Sequence, residues 1–226
     1  MLKAEPSVPR PLGYPTPRLL GADEMERRTG NKQKHESRNP LQRALINRFH
    51  RNAVAMVERV QPDTILDLGC GEGYAIAALQ QAGVQAKFSG IDFSDAALRE
   101  ARGRLGDEVE LKCADLLDLQ HTDEKYELVM MLEVLEHIIE PERMVEVFNR
   151  LCSGHLLLSV PREPFFRGLN LARGKNIRRW GNDPEHVNHW SRRSFIRWVD
   201  QYFDVVESPG VFPWTMVLAR LRTRDT

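Results

Sequence analysis

The stretch Thr64-Ile65-Leu66-Asp67-Leu68-Gly69-Cys70-Gly71-Glu72-Gly73 sets the pattern for the whole chain. A short apolar run ends in alternating glycines, and a helical stretch follows around residues 74–82. This reads as a buried strand turning directly into a helix. Glycines at such a turn let the backbone bend tightly and let a ligand approach without meeting a Cβ. A purely structural turn would use the same glycines, so the spacing has to narrow the choice. A dinucleotide fingerprint needs G-x-G-x-x-G, whose third glycine serves helix packing behind a pyrophosphate. Here the third glycine comes one residue early, and Tyr74 stands where that fingerprint wants glycine. The Gly-Lys-Ser/Thr ending of a Walker loop is absent. Phosphate cradling is therefore disfavoured.

Outward from the loop, strand and helix patterns alternate. Ala86–Ile91 reads as a second strand with a helix at 94–104, and Val109–Cys113 as a third strand. Tyr126–Leu132 is a fourth, 141–152 a helix, and His155–Val160 a fifth strand. A polar, aromatic-rich segment over 161–190 interrupts the alternation. Ser191–Phe203 then reads as a helix, with 204–208 and 213–220 as two last strands. This pitch predicts an α/β fold, doubly wound, its mainly parallel sheet covered on both faces. No internal repeat is present. Upstream, Asn39-Pro40 opens an amphipathic helix whose apolar stripe runs through Leu41, Leu45, Phe49, Ala53, Met56, Val57 and Val60. Before it, prolines at 6, 9, 11, 15 and 17 exclude a regular helix, so residues 1–38 are expected to form a flexible arm. The rest, 39–226, is expected to be a single domain: a first helix over 39–61, a core over 62–160, a basic and aromatic segment over 161–198, and closing strands over 199–226.

Composition bounds the function. The 226 residues carry 32 basic and 32 acidic side chains, so no overall field points to nucleic acid or membrane. Cys70, Cys113 and Cys152 are odd in number and widely spaced, neither a disulfide framework nor a zinc pattern. That usage suits a reducing compartment. The N-terminus lacks the apolar stretch of a signal peptide, and no apolar run reaches the roughly 18 residues of a membrane span. A soluble, cytoplasmic protein is expected.

Two acids follow strand ends. Asp92, in Gly90-Ile91-Asp92-Phe93-Ser94, lies about 20 residues past the loop, where an acid of such sheets accepts both hydroxyls of a ribose. Phe93 beside it can lie against an adenine face. Asp92 could instead cap the next helix, but Ser94 or Asp95 can fill that role and leave Asp92 spare. Asp115, in Cys113-Ala114-Asp115-Leu116, could accept from an adenine amino group or simply cap a loop.

The series Ile65–Gly73, Gly90-Ile91-Asp92, Asp115 and Leu132-Glu133-Val134-Leu135-Glu136-His137 resembles the class I S-adenosylmethionine-dependent methyltransferases. The resemblance spans about residues 62–160, and more loosely 186–220. It implies a Rossmann-like, seven-stranded sheet with the last strand antiparallel, and S-adenosyl-L-methionine as cofactor. It also implies that Asp67, Gly69, Cys70, Gly71 and Gly73 flank the methionine part, near Glu133. Asp92 would hold the ribose, and Phe93 and Asp115 with the Leu116 backbone the adenine. By the same analogy the helix at 41–60 lies over the cofactor as a lid.

Glu133 and Glu136 are three residues apart with His137 adjacent, so one helical turn would bring the carboxylates together with the imidazole. Such a group suits a divalent ion or general-base chemistry. In many members of the family this stretch holds no metal and shapes the transfer site. A subset, resembling the small-RNA 2′-O-methyltransferases and some quinone-precursor O-methyltransferases, binds Mg2+ or Mn2+ with these residues and a later histidine. Glu133, Glu136, His137 and His186 would be that set, His186 preceding Trp190-Ser191. His137 or His186 is the candidate base, with Glu133 beside them.

Between Pro161 and Trp198 nine arginines and lysines stand against Glu163, Asp183 and Glu185, interleaved with Phe165, Phe166, Trp180, Trp190, Phe195 and Trp198. Three readings compete: aromatics packed on the sheet, an anionic acceptor gripped by arginines, and peripheral membrane contact through 162–180. The expected reaction is methyl transfer to a hydroxyl of a small, lipid-linked or sugar-linked acceptor. RNA-terminal 2′-O-methylation is the alternative within the enzyme class, weakened by a pI near 7.1. A non-catalytic cofactor-binding scaffold or sensor is the alternative outside it. Nothing in the sequence speaks to oligomeric state.

Overall fold

The computed structural model describes residues 39–121, 124–163 and 187–222. The proline-rich arm, residues 164–186 with His186 and most of the basic segment, and residues 223–226 lie outside the described residues.

Helix α1 (Pro40–Val60) begins as its sequence dictates: the Asn39 side chain accepts a hydrogen bond from the Leu41 backbone N–H at 3.0 Å, and proline occupies the first turn. Its stripe buries Phe49, Ala53, Met56 and Val57, while Leu41 at the free end stays exposed. The chain then alternates through β1 (Thr64–Leu68), α2 (Tyr74–Gln81), β2 (Lys87–Asp92), α3 (Asp95–Leu105) and β3 (Glu110–Cys113). After a 3-10 turn at Leu116–His121 come β4 (Tyr126–Leu132), a second 3-10 turn at Leu135–His137, α4 (Arg143–Leu151) and β5 (Cys152–Pro161). Helix α5 (Arg192–Tyr202) and strands β6 (Asp204–Glu207) and β7 (Trp214–Arg220) close the fold.

The seven strands form one sheet in the order β3-β2-β1-β4-β5-β7-β6. Strands β1 to β5 pair in parallel, and β7 runs antiparallel between β5 and β6. Successive side chains of each central strand feed opposite faces. Leu66 and Leu68 of β1 and Val129 and Met131 of β4 join the core under α4 and α5. Ile65 of β1 and Leu128 and Met130 of β4 join the core under α1, α2 and α3. Burial on both faces explains why these strands read as continuous apolar runs.

The junction between α4 and β5 differs most from expectation. The fourth helix stops at Leu151, and β5 begins at Cys152, not His155. Gly154 is the reason: a Cβ there would sit 2.6 Å from the Glu127 carbonyl oxygen, so only glycine lets the two strands lie this close. Of the aromatics expected between 161 and 198, Trp190, Phe195 and Trp198 pack with each other against the sheet. The stretch proposed for membrane contact falls outside the described residues except for its start. Among the described residues, no helix is long and apolar enough to cross a membrane.

Candidate functional site

Strand order reverses between β1 and β4, whose neighbours run outward in opposite directions, and the crevice beyond their carboxyl ends is where open α/β sheets bind ligands. The glycine loop crosses it. Backbone N–H groups of Gly69 and Cys70 both donate to the Ile91 carbonyl, at 2.7 and 3.1 Å, drawing the loop over the end of β2. Gly69 and Gly73 have φ of +77° and +78°. A Cβ on Gly69 would lie 2.5 Å from Val134 Cγ2, and one on Gly73 would lie 2.7 Å from Leu105 Cδ1. So the first glycine admits the turn after β4, and the third lets the start of α2 press against α3. That is the work of the early third glycine. Arg104 of α3 stacks 3.8 Å over the Tyr74 ring and donates to the Glu72 carbonyl, clamping the loop from behind.

Two buried carboxylates close the base of the crevice. Asp92 Oδ2 accepts from the Gly71 N–H at 2.9 Å, and its Oδ1 accepts from the Ser94 N–H at 2.8 Å. Ser94 is the helix cap, its hydroxyl accepting from the Ala97 N–H at 3.1 Å. Asp92 is therefore not spare as a loop residue: it ties the glycine turn to the end of β2 and still presents a carboxylate there. Asp67, at the end of β1, is only 2% exposed. Burial first, and the Asp92 charge second, push its carboxyl up to about 7. The Cys70 thiol is likewise pushed far up by burial, with the same two acids adding to it, so it is an inert wall. Phe93 stands 60% exposed at the rim. Asp115 accepts from the Leu117 N–H at 2.9 Å and opens the 3-10 turn, its side chain on the surface.

Beside the loop lies a cleft of about 450 Å3, open to solvent, with Asp67, Gly69, Cys70 and Tyr74 along one side. Leu132 and Glu133 from the end of β4 and Phe49 and His50 from α1 line it as well. Glu133 has φ of +61°, a strained conformation for a non-glycine residue. Its Oε2 accepts from Trp214 Nε1 at 2.6 Å, and Oε1 lies 3.5 Å from the Ser159 hydroxyl. The Trp214 ring in turn packs on Phe49, centroids 5.0 Å apart.

Glu136 and His137 follow Glu133 in the 3-10 turn Leu135–His137. The left-handed backbone at Glu133 sends its carboxylate toward Trp214. Glu136 is 1% exposed, with Oε1 4.0 Å from His137 Nε2, and the His137 side chain is 40% exposed. Neither Glu136 nor His137 borders the cleft. The Glu136 carbonyl accepts from the N–H groups of Val187 and Asn188, so this turn anchors the chain as it returns from residues 164–186. Among the described residues, no three His, Cys, Asp or Glu side chains gather as a metal site would require, and His186 lies outside them.

Two side chains of the cleft, and the Trp214 that packs on one of them, went unread in the sequence. Phe49 looked like ordinary stripe, Trp214 like a strand residue, and His50 fell one position off the stripe. The one available signal was that His50 directly follows the most deeply docked aromatic of a helix at the ligand edge. Burial lowers the His50 pKa from its ordinary value.

A family profile described as a methyltransferase domain matches residues 36–208. A ubiquinone biosynthesis O-methyltransferase of Alkalilimnicola ehrlichii is 31% identical over 147 residues, 58% of this chain and 59% of that protein. A malonyl-[acyl-carrier protein] O-methyltransferase of Anoxybacillus flavithermus is 28% identical over 125 residues, 53% of this chain and 48% of that protein. The match thus spans about half the length of these curated relatives. Among solved structures, the methyltransferase domain of bacterial CtHen1 superposes with a TM-score of 0.65 at 20% identity, over 79% of this chain and 100% of that one. Magnesium protoporphyrin IX methyltransferase of Synechocystis, with bound S-adenosylhomocysteine, superposes at 0.61 and 18%, over 88% and 94%.

Proposed function

The chain belongs to the class I S-adenosylmethionine-dependent methyltransferases, and from that premise we propose that it methylates a hydroxyl oxygen of a small, lipid-linked or sugar-linked acceptor in the cleft between α1 and the ends of β1 and β4. The donor set suits the cofactor. Two buried acids at neighbouring strand ends repel one another, and a ligand carrying cationic groups and ribose hydroxyls relieves both. Asp67, with the glycine loop and Cys70, would hold the methionine part. Asp92 would hold the ribose, and Phe93 with Asp115 and the Leu116 backbone the adenine. When bound, the cofactor supplies an electrophilic methyl group on a sulfonium.

The observation that carries the oxygen reading is Glu133, whose carboxylate borders the cleft and is held by Trp214 at 2.6 Å. A fixed carboxylate accepts a hydrogen bond from an O–H and so aims the oxygen lone pair at the methyl carbon. Phe49 lines the cleft and packs on the Trp214 ring that holds this carboxylate. The curated relatives matched by this chain are named as O-methyltransferases, which supports the same reading.

The test is S-adenosylhomocysteine formation with a panel of hydroxyl, amine and thiol acceptors, for the full chain and for Glu133→Gln. Turnover of hydroxyls alone, depressed in Glu133→Gln, is the expected result. Methylation confined to amines or thiols would refute it. Repeating the assay with Mg2+, Mn2+ and chelator decides whether Glu133, Glu136, His137 and His186 serve an ion.

A further inference from the structure

A cofactor with an ammonium group has to enter a crevice whose base already holds two buried acids, and the sheet turns both acids to one face. We propose that Asp67 and Asp92 share one proton in the ligand-free chain and that the cofactor expels it on binding, which makes cofactor loading a pH-sensitive step. The proposal rests on the placement of Asp67 at the methionine end given above.

The first argument is the register. Asp67 of β1 stands opposite Gly90 of β2, and Asp92 lies two residues further along that parallel strand. Residues two apart in a strand share a face. Ile65, two residues before Asp67, and Phe88, four before Asp92, mark this face as the one under α1, α2 and α3. Gly90 sits between the acids without a side chain to part them, since a Cβ there would meet Cys70 Sγ at 2.8 Å. Both acids are buried, at 2% and 6% exposure.

The second argument is the unequal support the two receive. Asp92 accepts from the Gly71 and Ser94 N–H groups, and two backbone donors favour the ionised form. Burial acts on Asp67 first and the Asp92 charge second, and both favour its protonated form. The proton of the pair therefore resides on Asp67. The other titratable groups around it are Cys70 and the buried Glu72 from the glycine loop, Tyr74 from α2, Glu133 after β4 and His50 from α1. Burial holds the His50 ring toward its neutral form. Among the described residues lining the cleft, none is a lysine or arginine. Arg104, behind the loop, is turned to the Tyr74 ring and the Glu72 carbonyl.

The cofactor's ammonium supplies the missing cation. With it beside Asp67 the ionised carboxylate is favoured, and the Asp67 O–H bond gives up its proton to water as the ligand settles. Affinity then rises with pH while the free chain still holds the proton, and levels off above about pH 7.

The test is calorimetric titration of S-adenosylhomocysteine into the full chain at pH 5.5 and pH 7, in buffers of different ionisation enthalpy. The slope of the heat against that enthalpy counts the protons exchanged. The ligand's own ammonium, which titrates at about pH 8, stays protonated throughout and contributes almost nothing. Release should be about one proton at pH 5.5 and about half a proton at pH 7, with affinity about 15-fold weaker at the lower pH. His50→Gln should release the same number, which separates the signal from the imidazole. Asp67→Asn should release none, and its weaker affinity should be level across this range.

Tight binding to wild type without proton release at pH 5.5 overturns the proposal. So does release that persists in Asp67→Asn or vanishes in His50→Gln. Undiminished affinity in Asp67→Asn refutes instead the placement of the methionine end, and no binding at either pH refutes the cofactor reading itself.

Discussion

Asp67→Asn should make the ligand-free protein more stable at neutral pH while removing its affinity for the cofactor. In the folded chain the carboxyl holds its proton to about pH 7, against 3.8 for the unfolded reference. Across that window the folded state binds more protons than the unfolded one, so stability falls as pH rises from about 4 to 7. At about 1.36 kcal/mol per pKa unit, the full penalty above pH 7 is about 4 kcal/mol, an upper figure because the neighbouring cleft admits water. Asparagine cannot ionise and carries no such slope. Its own loss or gain from changed hydrogen bonding is the same at every pH, so the difference between the two proteins isolates the charge. The assay is urea unfolding of both at pH 5 and pH 8, followed by circular dichroism and extrapolated to water. The variant should gain on wild type by about 2–4 kcal/mol between the two pH values. S-adenosylhomocysteine titration should meanwhile show binding to the variant weakened by about 100-fold or more, roughly 3 kcal/mol. Stability curves that run parallel from pH 5 to pH 8 would refute the reading of Asp67 as a buried, charge-strained acid kept for the ligand.

Three further outcomes follow from the same contacts. Asp92→Ala leaves the Gly71 and Ser94 N–H groups without their carboxylate, so it should lose about 1–3 kcal/mol of stability and S-adenosylhomocysteine binding measured by calorimetry. Gly69→Ala drives a Cβ to 2.5 Å from Val134 Cγ2 at a φ of +77°, and should lower the melting temperature; adding Val134→Ala should recover part of the loss, because it removes the clash and leaves the backbone strain. Trp214→Phe keeps the ring against Phe49 but removes the donor to Glu133, and should lower kcat for a hydroxyl acceptor with little change in S-adenosylhomocysteine affinity.

The strand and helix alternation was legible because each element carries its own signal. Asn39-Pro40 caps α1 with groups next to it in sequence, and the apolar runs of β1, β4 and β5 report burial on both faces. The ending of α4 was not legible, since the close approach of Gly154 to Glu127 is a contact between strands. The same division runs through the candidate site. The glycine loop and Asp92 sit at ends of consecutive strands, where the fold alone delivers them to one crevice, so local motif reading reaches them. Glu133, Glu136 and His137 also look like a local group, but their spacing assumed a helical turn. The structure sets Glu133 at a φ of +61° and Leu135–His137 in a 3-10 turn, a local backbone that the spacing alone does not report.

What redirects Glu133 is Trp214, 81 residues downstream, and what fixes α1 beside it is a hydrogen bond from Arg48 to Gly210 across 162 residues. Such contacts leave no period or motif in a single sequence. They arise because β7 returns antiparallel beside β5, bringing Trp214 opposite Pro161 at the carboxyl edge of the parallel strands. The reversed last strand is thus more than a fold signature. A parallel strand in the same slot would present its other end to the cleft, and the indole that joins Phe49 to Glu133 would lie at the far edge of the sheet. The position of Glu133 thus depends on the β6–β7 hairpin, through Trp214, as well as on the strand it follows. Changes at Trp214 should therefore act on transfer before they act on cofactor affinity.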